Sequence, residues 1–132
     1  MATRPSYTNT PHVGGVVASA ANTNRDGTGT LATVFTAPIA GGALAGGSRI
    51  ERVVVTAQAV VTDGMIRLFI DSGAARWLYK EIEVSALAPA ASVPAFHAEV
   101  ETTDLTLPAG WSLKATTHNA EAFALLAFGG DF

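Results

Sequence analysis

The chain contains no cysteine, which excludes disulfides, thiolate metal ligands and thiol nucleophiles together. Charge is also scarce. Of 132 residues only 14% are charged, and 8 basic against 11 acidic side chains leave a net charge of −3, so there is no electrostatic footprint for nucleic acid or an anionic lipid surface. Apolar runs are broken by Gly, Thr or a charge within about ten positions, short of the ~18 to 20 residues of a membrane helix. The first residues, Met-Ala-Thr-Arg-Pro-Ser-Tyr, lack the apolar stretch of a secretory leader, and none is expected. Aromatic residues are 8% of the chain and histidines number three, so few groups suited to catalysis or stacking exist at all.

What is present in quantity is alanine. Hydrophobic residues reach 48%, yet 25 of them are alanines, leaving roughly forty larger apolar side chains, enough for one thin core in one domain. Residues 1–27 are rich in Thr, Asn, Pro and Gly and read as an extended N-terminal arm, with residues 13–18 the piece best suited to pair as a strand. The domain proper is expected over residues 28–132.

Within it, residues 30–36 form a branched, alternating run, and residues 39–47 form a Gly and Ala loop. Residues 48–61 predict a long strand with Val53, Val55, Ala57, Ala59 and Val61 on one face. Asp63-Gly64 then signals a hairpin into residues 65–71, and Ser72-Gly73 a second hairpin into residues 77–86. There, Leu78, Ile82 and Val84 are expected opposite Trp77, Tyr79, Glu81 and Glu83. Two prolines mark residues 87–94 as a crossing between sheets. Further strands are expected over residues 94–103, 111–116 and 122–128, the first with Phe96, Ala98 and Val100 opposite His97, Glu99 and Glu101. Seven or eight strands at about ten-residue spacing, without a helical period, predict an all-β fold, an antiparallel β-sandwich of jelly-roll type, with a small closed barrel as the alternative.

The chemistry on offer is sparse. His12, His97 and His118 show no metal-ligand spacing, and no metal or cofactor is expected. Glu81 with Glu83 and Glu99 with Glu101 are same-face carboxylate pairs, an arrangement that normally just faces water. Asp63, Asp71 and Asp104 fall at turns without an acidic calcium loop, and neither a Gly-x-Ser-x-Gly elbow nor a phosphate loop occurs. A hydrolase would need His97 or His118 to converge with Glu99 or Glu121, so the chain is expected not to be an enzyme. Trp77, Tyr79 and Trp111, together with the terminal Phe132, are the candidate subunit or ligand contacts, the three strand aromatics also being able to form a sugar platform. Low charge, flat alanine-rich faces and a positive mean hydropathy of +0.31 suggest an oligomer that supplies missing burial.

The run Met65-Ile66-Arg67-Leu68-Phe69-Ile70, the strand at 77–85 and the segment from Leu107-Pro108-Ala109-Gly110-Trp111 through Glu121 resemble small virion proteins of tailed bacteriophages, in particular head decoration, or cement, proteins. The resemblance spans residues 28–132. It implies a structural protein without catalytic residues, made in the host bacterial cytoplasm and carried on the capsid surface. Its implied partners are the major capsid protein and itself, as a homotrimer, with neither nucleic acid nor membrane involved. On that reading Arg4, Pro5, Tyr7 and His12 of the arm clasp the capsid or a neighbour. A tail, neck or fibre module that binds host-surface carbohydrate is the alternative.

Overall fold

The structure, a computed structural model, describes residues 8, 10–39 and 46–132. Its strands are β1 (Thr10–Ala18), β2 (Ala32–Thr36), β3 (Ser48–Ala57), β4 (Gly64–Asp71), β5 (Arg76–Val84), β6 (His97–Leu107), β7 (Ser112–Thr117) and β8 (Phe123–Asp131). They form two antiparallel four-stranded sheets, β1-β8-β3-β6 and β2-β7-β4-β5. One face of each sheet enters a single core. Ile50, Val53, Val55, Leu125 and Ala127 of the first sheet share it with Val34, Ile66, Leu68, Leu113 and Ala115 of the second. Phe96 closes one end of this core edge-on against Phe123. Alternation along β8, and along β3 on either side of the irregularity at Ile50–Arg52, places every second side chain inside, which is how a chain with few large residues still completes a sandwich.

The two sheets approach most closely where β1 meets β2. A Cβ at Gly14 would collide with the carbonyl oxygen of Val34, so only glycine permits this contact. The span read as an arm therefore contains a complete edge strand: β1 pairs with β8 from Thr10↔Asp131 to Ala18↔Phe123. Beyond β1, residues 19–31 run over the outer face of the second sheet as a strap. Asn22 N donates to Thr117 O, and Arg76 Nη1 donates to Gly27 O at 2.9 Å. Arg4, Pro5 and Tyr7, and most of the loop expected over residues 39–47, lie outside the described residues.

Three local expectations are corrected. The Asp63-Gly64 turn does not close a hairpin, because β3 pairs with β6 and β8 whereas β4 pairs with β5 and β7. The chain instead crosses from one sheet to the other. Here β3 ends at Ala57, Ala59 is exposed, Val61 bridges to Leu87, and the Asp63 carboxylate accepts the Ala86 N–H at 2.8 Å. The second correction concerns β5. A register shift opposite Leu68 and Phe69 inserts one extra residue, so Tyr79 and Ile82 both pack on the core while Leu78 lies against Phe69. Third, β6 is continuous to Leu107, with its own irregularity absorbed where Thr102 Oγ1 donates to Ile50 O. By contrast, the β4–β5 hairpin at Ser72-Gly73 and the sheet crossing over residues 87–94 match the sequence reading.

Candidate functional site

Several of the charged groups suited to chemistry are drawn into bonds that fix the fold. Asp131 Oδ1 accepts from Ser48 Oγ at 2.6 Å and stands 2.8 Å from His12 Nδ1, tying β3 and β1 to the end of β8. Serine, histidine and aspartate meet here, but the aspartate lies between the other two, so the imidazole has no contact through which to activate the hydroxyl. The His12 ring also packs on Phe35, with centroids 4.0 Å apart.

On the outer face of the second sheet, Arg67 is buried and donates to Glu81 at 3.0 Å, to the Asn22 carbonyl at 3.5 Å and to His118 Nδ1 at 3.3 Å. Arg25 of the strap reaches Glu81 as well, and its hydrogen bond, followed by that of Arg67, holds the Glu81 carboxyl below its ordinary value. Asp71 is buried with Arg76 and Lys114 at 3.1 and 3.2 Å. Desolvation raises this carboxyl, but the Gly73 N–H, Lys114 and Arg76 together outweigh it and keep it low. Sequence reasoning missed this roofed layer. The one available signal was Arg67 itself, a charge inside the apolar run at 65–70.

The remaining candidates are dispersed. His97 lies 3.6 Å from Glu99 on the outer face of the first sheet, His118 lies beside Arg67, and Glu121 accepts from the Thr62 backbone and hydroxyl at the sheet crossing. The two carboxylate pairs are on different sheets, Glu81 and Glu83 on β5 and Glu99 and Glu101 on β6. Among the described residues no group of three His, Asp or Glu side chains stands close enough to hold a metal ion. Of the aromatics, Trp77 and Trp111 are brought together as a stack, centroids 5.7 Å apart and planes at 22°, with Trp77 49% exposed. Tyr79 is apart from them, packed on the core with Lys80 over its ring, and Phe132 is half-buried, its N–H donating to the Gly47 carbonyl. Two depressions of about 180 and 290 Å³ fall below the range of drug-sized ligand pockets.

The first sheet presents an open outer face. Alternation turns Val13, Gly15 and Val17 of β1, Ala124, Leu126 and Phe128 of β8, and Val54 of β3 outward, away from the core. Arg52, Thr56, His97, Glu99 and Glu101 continue the same face across β3 and β6. Arg52 lies over the Phe128 ring at 4.7 Å. Half of the face is therefore apolar and half is charged, and among the described residues no strap crosses it as residues 19–31 cross the other sheet. Comparison of the chain with protein-family models, with curated proteins and with solved structures gave no match.

Proposed function

We propose that this chain is a structural virion protein of a tailed bacteriophage, a decoration (cement) protein that binds the outer surface of the head, stabilises the lattice of the major capsid protein and self-associates as a homotrimer. The observation that carries the reading is the open, half-apolar face of the first sheet, since contiguous exposed apolar surface of this kind marks protein contact. The strand order β1-β8-β3-β6 against β2-β7-β4-β5, with successive strands dealt between the sheets, supports a jelly roll, an architecture common in capsid proteins. The functional groups are committed to internal bonds, which suits a rigid building block without catalytic residues. Arg4, Pro5 and Tyr7 precede β1 and are the arm residues proposed to clasp the shell, whereas His12, read with them in the sequence, lies within β1 on Asp131 and Phe35.

Counting copies in purified particles by mass spectrometry tests this. Copies in simple proportion to the major capsid protein are expected, and a few dozen or fewer per particle overturns a head decoration role. Low copy number together with glycan retention would instead favour the second reading, a tail, neck or fibre module that binds carbohydrate. The half-exposed Trp77 stacked on Trp111 is the observation that favours it.

A further inference from the structure

The outer face of the first sheet has a hidden regularity. Its strands are in register, so the outward side chains fall into rows that cross β1, β8, β3 and β6 in turn. The first row is Val13, Phe128, Arg52 and Glu101. The middle row is Gly15, Leu126, Val54 and Glu99. The third is Val17, Ala124, Thr56 and His97. Consider a two-fold axis lying in the plane of the face along the middle row. It brings a second copy face to face, with each strand antiparallel over its own counterpart, and it exchanges the first and third rows.

The two rows are complementary under that exchange. Phe128, the largest apolar side chain on the face, meets Ala124, the smallest on its strand with a Cβ. Val13 meets Val17, Arg52 meets Thr56, and the Glu101 carboxylate meets the His97 imidazole. Leu126 meets Leu126 on the axis. Its side chain leans across Gly15, where a Cβ would stand only 2.9 Å from Leu126 Cδ2, so the glycine lets the central leucine lie low. Glu99 falls on the axis at the rim and meets Glu99 of the other copy, a like-charge contact offset by the His97 of each chain, 3.6 Å from its own Glu99. Three of the seven large apolar side chains exposed among the described residues, Val13, Val17 and Leu126 at 57, 48 and 40% exposure, belong to this one face. The three rows span five residues on each of four strands, which at ~3.3 and ~4.8 Å spacing gives a footprint on the order of 300 Å² per copy, the size of a weak, concentration-dependent contact.

We propose that this face is a two-fold, sheet-to-sheet contact with a second copy of the same chain, as two sheets pack within a sandwich. The contact rests on the same face as the virion reading and deepens it by naming a second copy as what covers that face; a trimer formed through other surfaces would pair through it into a hexamer.

Analytical ultracentrifugation of the full chain over a concentration series tests the proposal. A dimer, or an even multiple such as a hexamer, is expected; a monomer throughout, or a trimer that does not pair, overturns it. Leu126→Arg should weaken the association by at least about 30-fold while leaving the melting transition of the subunit intact. His97→Glu should weaken it by opposing Glu101 of the other copy, and the double change His97→Glu with Glu101→His should restore it. Failure of the double change to rescue would exclude this register. Capsid occupancy is a separate readout, so loss of the head location would leave this result standing, and the reverse also holds.

Discussion

Arg67 and Glu81 form a 3.0 Å ion pair across β4 and β5 in which the arginine side chain is only 1% exposed, although both residues point away from the core. The strap at residues 19–31 explains this. It lays the Asn22 carbonyl and Arg25 over the pair, so that the second sheet is buried on both sides at Arg67. Arg67→Ala would leave the Asn22 carbonyl and Glu81 without their shared donor and open a cavity beneath the strap. A loss of about 3 kcal/mol in urea unfolding is expected, with faster amide exchange over residues 19–31. A change of a few tenths would mean that the strap does not depend on the pair.

Acid should act through Asp71. Its folded carboxyl titrates below the ordinary 3.8, so its contribution is complete above about pH 5 and is lost as the pH falls through the folded value. Asp71→Asn should therefore be less stable than the parent at neutral pH and converge on it in strong acid. Urea midpoints measured at several pH values check this, and a gap that stays constant with pH would contradict it.

Asp131→Ala should unfasten the end of β1. It removes the acceptor of the fully buried Ser48 hydroxyl and the partner of His12, at an expected cost of about 1–3 kcal/mol. Hydrogen exchange should rise first at Thr10–His12, the pairs nearest the lost carboxylate.

Gly14→Ala should force β1 away from β2, because the new methyl meets the Val34 carbonyl, which is backbone and cannot rotate aside. A destabilisation of about 1–3 kcal/mol is expected in thermal or urea unfolding, and an unchanged midpoint would show that the two edges are not in contact.

Trp77→Ala should abolish the near-ultraviolet circular dichroism that arises from its stack on Trp111 and leave the fold intact, since Trp77 is half-exposed. Persistence of the signal would place its origin elsewhere.

Much of this architecture can be read from residue alternation. Val53, Val55 and Ala57 alternate into the core as expected, and the Asp71 carboxylate with Gly73 at φ 92° makes the one hairpin whose turn chemistry and sheet pairing agree. Asp63-Gly64 shows the limit of such signals. A turn sequence specifies that the chain reverses, not which sheet receives it, and Asp63 serves the sheet crossing by capping Ala86. Arg67 shows a second limit: its burial depends on Asn22, 45 residues away, and no local pattern carries that separation. The bulge beside Tyr79 is a third, because one extra residue reversed the expected side of Tyr79. The open face was legible only as a low charge and an excess of small residues. Its row structure depends on pairings between strands far apart in sequence.

The strand order also dictates when this chain can fold during its own synthesis. In the first sheet β8 lies between β1 and β3, and in the second β7 lies between β2 and β4, so the two strands made last are interior ones. Among the described strands only β4 and β5 are neighbours in both sequence and sheet. As the ribosome advances, β1 and β3 wait with a gap between them, and the apolar faces of both half-sheets remain wet until residues 112–131 emerge. The protein is therefore committed to folding in one late, long-range event rather than strand by strand, which makes its nascent form dependent on protection from aggregation.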